Sequence, residues 1–165
     1  MICIGIDQGH EGGIVAIDAD RRVVLARRMP TLPKGKSGKR LDFTGLWEAL
    51  EMLMAARPPG TVYAIIERSQ AMPAQGATSA WTMGLQQGAI QMAMRALSIP
   101  YEIVHPSKWQ RKILGATSGK AKGRAIETVG RLLPELDLRP GQCRKPHDGL
   151  ADAGCMALYA RERIK

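Results

Sequence analysis

The sequence predicts an α/β domain built on a mixed β-sheet, and three observations carry that prediction. Two apolar runs at the N-terminus are joined by a glycine-rich turn too short for a parallel crossover. Helical periodicity begins only after Asp42, and from there strands alternate with helices. The predicted order is β-β-β-α-β-α-β-α-α-α. A chain of 165 residues, 45% of them apolar, suffices for one core, so residues 1–165 are read as a single domain. Aromatic residues make up only 4%, which leaves that core to Ile, Val, Leu, Met and Ala.

Each element has a local reason. Ile2-Cys3-Ile4-Gly5-Ile6-Asp7 is a strand that stops on an acid, and Gln8 to Gly13 turn it into a second strand, Ile14 to Ile17. The turn Asp18-Ala19-Asp20 leads to a third, Arg22 to Ala26. Arg27 to Arg40 mixes Pro30, Pro33, Gly35 and Gly38 with six cations and no acid, so it is expected to be a basic, mobile loop. Leu46, Leu50 and Leu53 mark a helix from Asp42 to Arg57, with Asp42 or Thr44 able to cap it and Pro58-Pro59 to stop it. Val62 to Glu67 reads as a buried strand, again ending on an acid. A long helix runs from Thr78 or Ser79 to about Leu97, with Gly84 and Gly88 on one face where another element can approach closely. Tyr101 to Val104 is a short strand. Helices then start at Pro106, span Ser118 to Leu133, and close the chain from about Pro146 to Arg163.

Composition narrows the class. With 24 Lys+Arg against 15 Asp+Glu the chain carries +9, which points to a polyanionic partner, nucleic acid before anionic membrane. The 18 Gly and 10 Pro are too few for a collagen-like or low-complexity chain. Cys3, Cys143 and Cys155 form no CxxC pair, so reduced thiols are expected rather than disulfides or zinc. No N-terminal signal pattern and no apolar run of ~20 residues appear; Trp81 to Leu97 is interrupted by Gln86, Gln87, Gln91 and Arg95. The expectation is a soluble cytoplasmic protein without a membrane segment.

Four acids stand where core logic does not want them. Asp7 and Glu67 end apolar strands, and Asp148 and Asp152 lie four apart on the last helix, beside the apolar Cys155, Met156 and Tyr159. A carboxylate bordering an apolar core costs free energy unless it is paired, hydrogen-bonded or metal-bound. Taken singly, Asp7 is equally a turn residue, Glu67 a partner for Arg68, and Asp148 a helix cap. Asp152, mid-helix among alanines, has the weakest structural explanation. Together, in a chain of charge +9, the four are what a two-Mg²⁺ phosphodiester site needs, with Mn²⁺ able to substitute. Lys120, Lys122 and Arg124 sit at a helix start, where cations oppose the helix dipole, so phosphate contact is the favoured reason for them. Lys108, Arg111 and Lys112 on the preceding helix are the other candidate DNA contacts. The glycines at 9, 12 and 13 lack the Gly-Lys-Ser/Thr of a phosphate loop, and no nucleophile elbow is present.

Ile4-Gly5-Ile6-Asp7-Gln8-Gly9, Ala64-Ile65-Ile66-Glu67 and His147-Asp148-Gly149-Leu150-Ala151-Asp152-Ala153 together resemble the RuvC-type Holliday junction resolvases, including phage-encoded forms, of the ribonuclease H-like superfamily. Ser79 to Gly88 and His105-Pro106-Ser107-Lys108-Trp109 are similar to the family's intervening segments. The resemblance implies a five-stranded mixed sheet, three antiparallel N-terminal strands plus two parallel ones, flanked by helices. It further implies a homodimer that nicks two opposed strands of a four-way DNA junction, leaving 5′-phosphates; the Ser79–Leu97 helix, whose Gly84 and Gly88 allow close packing, is the expected interface. Asp7, Glu67, Asp148 and Asp152 would then be catalytic metal ligands. Two departures stand out. The last motif has its acids four apart rather than three, which makes His147 a competitor for the place given to Asp148. The aromatic wedge that follows the glutamate in many relatives is replaced by a stretch in which Met72 is the nearest apolar residue. The competing readings are a ribonuclease H-like nuclease acting on RNA, hybrid or flap substrates, and an architectural DNA-binding protein whose acids are structural.

Overall fold

The structure is a computed structural model that describes residues 1–36, 38–55, 61–70, 76–115, 121–141 and 143–164, with 121 and 122 as backbone only. Strands β1 (Ile2–Asp7), β2 (Gly13–Ile17) and β3 (Val23–Arg28) form an antiparallel meander. After β4 (Thr31–Lys34), β5 (Gly38–Leu41) and α1 (Phe43–Ala55) come β6 (Val62–Glu67), α2 (Ala77–Ala96) and β7 (Tyr101–Val104). Helices α3 (Pro106–Leu114), α4 (Ala121–Leu132) and α5 (Asp148–Arg163) complete the chain. The main sheet has the order β3-β2-β1-β6-β7, with β6 parallel to both β1 and β7. This is the five-stranded mixed sheet that the sequence leads one to expect.

Strand alternation divides the interior into two cores. Ile2, Ile4 and Ile6 of β1, with Ile14 of β2 and Ala64 and Ile66 of β6, point to a core shared with α1 and α2. Cys3, Val15, Ile17 and Ile65 point the other way, to a core shared with α3, α4 and α5. On that second face Gly5 lets α5 lie directly on β1, because a Cβ there would run into the backbone of Ala153 and Ala157.

The basic segment after β3 departs from expectation. Arg27 and Arg28 extend β3, and Thr31–Lys34 pairs antiparallel with Gly38–Leu41 as a two-stranded hairpin rather than forming an irregular loop. Lys34, Lys36, Lys39 and Arg40, interspersed with Pro33 and two glycines, hide the two-residue alternation that would reveal strands. The hairpin is held instead by its backbone ladder, by buried Met29 and Leu41 at its base, and by an ion pair from Lys39 to Glu11. Gly35, at φ +63°, supplies the left-handed turn residue.

Helix ends follow their capping groups. Asp42 caps α1, its Oδ1 accepting from Gly45 N at 3.1 Å. His105 caps α3 ahead of Pro106, with Nδ1 accepting from Ser107 N. The cap of α5 is His147, whose Nδ1 accepts from Leu150 N at 3.2 Å, so Asp148 is the first helical residue and not the cap. An acid there still favours the helix through its dipole.

Candidate active site

Parallel pairing of β1 with β6 sets up the site. Ile6 lies opposite Ile66, so the next residues, Asp7 and Glu67, emerge side by side at the carboxyl end of the two central strands. That end of a parallel pair is where open α/β sheets leave a crevice. Here it is a cleft of about 320 Å³ lined by Asp7, Gln8, Glu67, Arg68, Met83, Gln86 and others. Gly9 N donates to Asp7 Oδ1 at 3.2 Å, and Trp109 Nε1 donates to Glu67 Oε2 at 2.8 Å. Burial pushes the Glu67 carboxyl up to about 7; the Trp109 hydrogen bond opposes the rise, and the negative charge of Asp7 adds to it.

Helix α5 brings the other acids to the same end of the sheet. Its first turn packs against the β1–β2 turn so closely that a Cβ on Gly149 would meet the backbone of Glu11 and Gly12. Between positions 148 and 160 every residue of α5 is buried except Asp148 and Asp152. A helix wrapped on all sides thus opens to solvent at two carboxylates one turn apart. Burial, and then the charge of Asp152, push the neighbouring Cys155 thiol up to about 12. His147 is held below its ordinary value, chiefly by burial and then by Arg28, which favours the neutral imidazole. With Nδ1 accepting the cap bond, its proton sits on Nε2, a buried atom with no partner among the described residues.

Sequence reasoning passed over the polar side chains that brace the acids. Gln8 is 5% exposed, and its Nε2 donates to Glu67 O at 2.9 Å and to Ser69 Oγ. Gln87 Oε1 accepts from Ser69 N at 3.3 Å, which ties the exit of β6 to α2. Trp109, fully buried, holds the Glu67 carboxyl itself. Gln8 and Trp109 lie in the Asp7-Gln8-Gly9 and His105–Trp109 segments named for their resemblance, but nothing in those segments gives either residue a partner. Only the requirement that a buried indole N–H find an acceptor could have pointed to Trp109.

The cationic candidates are spread more widely. Lys108 and Arg111 are exposed on α3, which starts at the lip of the cleft, and Lys112 pairs with Glu162 at 3.3 Å. Arg124 is half-buried and donates to Leu114 O and Gly115 O, closing the end of α3. Lys122 belongs to α4 by its backbone, while Lys120 and Met72 lie outside the described residues. Arg68 is exposed at the rim of the cleft. On the outer face of α2, Trp81, Leu85 and Met92 stand exposed along a groove floored by Gly84 and Gly88. No helix among the described residues is long and apolar enough to cross a membrane.

As a metal site the donors divide. Asp7 and Glu67 offer hard oxygen ligands, and their mutual repulsion in a partly buried cleft is what a cation relieves, so the pair fits one Mg²⁺ or Mn²⁺ that keeps several waters. Among the described residues no three His, Cys, Asp or Glu side chains stand close enough to enclose an ion.

Neither a protein-family model nor a curated protein sequence matches the chain. Solved structures do. Thermus thermophilus RuvC in complex with a Holliday junction substrate superposes with a TM-score of 0.68 at 19% identity, covering 99% of this chain and 96% of that one. A further T. thermophilus RuvC structure gives 0.60 at 20% identity, covering 99% and 97%. At this identity the likeness is one of architecture: the chain has the ribonuclease H-like fold of the RuvC Holliday junction resolvases.

Proposed function

We propose that the protein is a metal-dependent endonuclease that resolves four-way DNA junctions by paired nicks, leaving 5′-phosphates. The observation that carries this reading is the in-register pair Asp7 and Glu67, which line a cleft at the carboxyl end of the two central parallel strands. A RuvC of the same fold has been solved with a Holliday junction substrate, which supports the substrate class. The charge of +9 supports a polyanionic one.

Asp7 and Glu67 would hold one Mg²⁺, with Asp152 and Asp148 serving a second from α5. Bound there, the ions supply Lewis acidity and a water of lowered pKa. The chain's own residues do the rest. Arg68 at the rim is placed to hold a phosphate oxygen, and Gln8 fixes the backbone from which both Glu67 and Arg68 project. Neutral His147 presents an Nε2 proton at the start of α5. In the hydrolysis a water oxygen bonds to phosphorus, the P–O3′ bond breaks, and a proton passes to O3′. Two nicks across a symmetric junction call for two sites related by a two-fold axis. The exposed stripe of α2, with its two glycines, is the proposed dimer contact.

The test is a panel of labelled four-way junction, linear duplex and RNA–DNA hybrid, each with and without Mg²⁺, beside sedimentation of the free protein. Mg²⁺-dependent, symmetric nicking of the junction by a dimer is expected. Preferential cleavage of the hybrid would replace this reading with a ribonuclease H-type one, and tight binding with no Mg²⁺-dependent cleavage would make the protein architectural.

A further inference from the structure

Trp109 is the largest fully buried side chain in the described core, and its single polar atom is spent on the candidate site. An indole N–H can only donate, and when buried it must find an acceptor. The acceptor here is not a nearby carbonyl but Oε2 of Glu67, 42 residues away in sequence, at 2.8 Å. The donor cannot wander. Trp109 is fully buried in the core that also holds Val104, Val129 and Leu150, and the start of α3 is pinned by the His105 cap and Pro106. The backbone of Glu67 is pinned as well, through β-pairing to β7 and through Gln8 on its carbonyl. Both ends of the glutamate are therefore held, and one carboxylate oxygen is already engaged.

We propose that Trp109 is a positioning residue for the acid pair: its indole N–H holds Glu67 Oε2 so that Oε1 is the oxygen offered to a cation beside Asp7. This rests on the reading of Glu67 as a metal ligand. A glutamate has three side-chain torsions to freeze, and freezing them beforehand spares that entropy when an ion arrives. Partners that orient a metal ligand in this way typically change metal affinity by 10–100-fold when removed.

The experiment is a Mg²⁺ titration followed by ¹⁵N–¹H spectra, with no DNA present. Three indole N–H signals are expected, from Trp47, Trp81 and Trp109. The Trp109 signal should move with Mg²⁺ while the others stay, and the Gly9 amide, which donates to Asp7 Oδ1, reports occupancy in every variant. Trp109→Phe keeps the ring and deletes the donor, and should weaken Mg²⁺ binding at the Gly9 reporter by at least about tenfold. In a Glu67→Gln background the same change should add almost nothing, because its effect passes through that carboxylate. Wild-type affinity in a folded Trp109→Phe protein would overturn the proposal. So would a Trp109 signal in the wild type that ignores Mg²⁺, a result that needs no variant to fold. If Mg²⁺ moves the Gly9 amide equally in wild type and Glu67→Gln, the reading of Glu67 as a ligand is what fails, and this proposal falls with it.

Discussion

Glu67→Gln should make the protein more stable at pH 8 while destroying its activity. Burial and the neighbouring Asp7 raise the Glu67 carboxyl from an ordinary 4.5 to about 7. Below pH 4.5 the group is protonated in folded and unfolded chains alike and contributes nothing. Between 4.5 and about 7 the unfolded chain releases the proton while the native state keeps it, so stability falls as pH rises; above 7 the loss is complete. At ~1.4 kcal/mol per pH unit, that interval corresponds to about 3 kcal/mol. Glutamine carries no charge to desolvate, and its Oε1 can still accept from Trp109 Nε1, so the variant escapes the cost without losing its partner. For a domain of this size, about 3 kcal/mol is on the order of 6–12 °C in Tm. Thermal and urea unfolding in EDTA, at pH 5 and pH 8, measures it. The variant should gain clearly at pH 8 and under about 1 kcal/mol at pH 5. An equal effect at both pH values, or a less stable variant at pH 8, would refute the argument that a buried, charge-crowded carboxylate sits at the end of β6.

Three further outcomes follow from the same geometry. His147→Ala removes the cap of α5 and should cost about 1 kcal/mol in urea unfolding, whereas Asp148→Asn should lose only the helix-dipole contribution, about 0.3–1 kcal/mol, yet lower single-turnover cleavage by about a hundredfold or more. Gly5→Ala forces a methyl into the backbone of Ala153 and Ala157, and should destabilise by about 3 kcal/mol or prevent folding, read from Tm and soluble yield. Junction binding should weaken with salt, at a slope near −5 in log K against log[salt] if about six phosphates are contacted; a flat response would remove the basic surface from the DNA footprint.

The centre of the main sheet was legible because β1, β2 and β6 are buried on both faces and read as short apolar runs, and acids closing two of them stood out against that background. The β4–β5 hairpin was illegible for the opposite reason. It rests on backbone pairing and carries cations outward, and its only apolar anchors lie at its base. The pairing of Asp7 with Glu67 could be suspected from chain order but needed the parallel register to become adjacency. At position 148 the sequence left cap and ligand open, and a histidine took the cap, which leaves Asp148 as the first residue of α5. The braces around Glu67 depend on contacts spanning 42 and 59 residues, and no local pattern encodes contacts of that length.

The most direct test is Asp7→Asn on a labelled four-way junction, with binding and single-turnover cleavage measured in parallel in Mg²⁺. Asp7 is read as a metal ligand and not a DNA contact, so its loss should leave junction affinity within about twofold and lower cleavage by at least about a hundredfold. Near wild-type nicking by Asp7→Asn would contradict the assignment of this cleft as the catalytic centre.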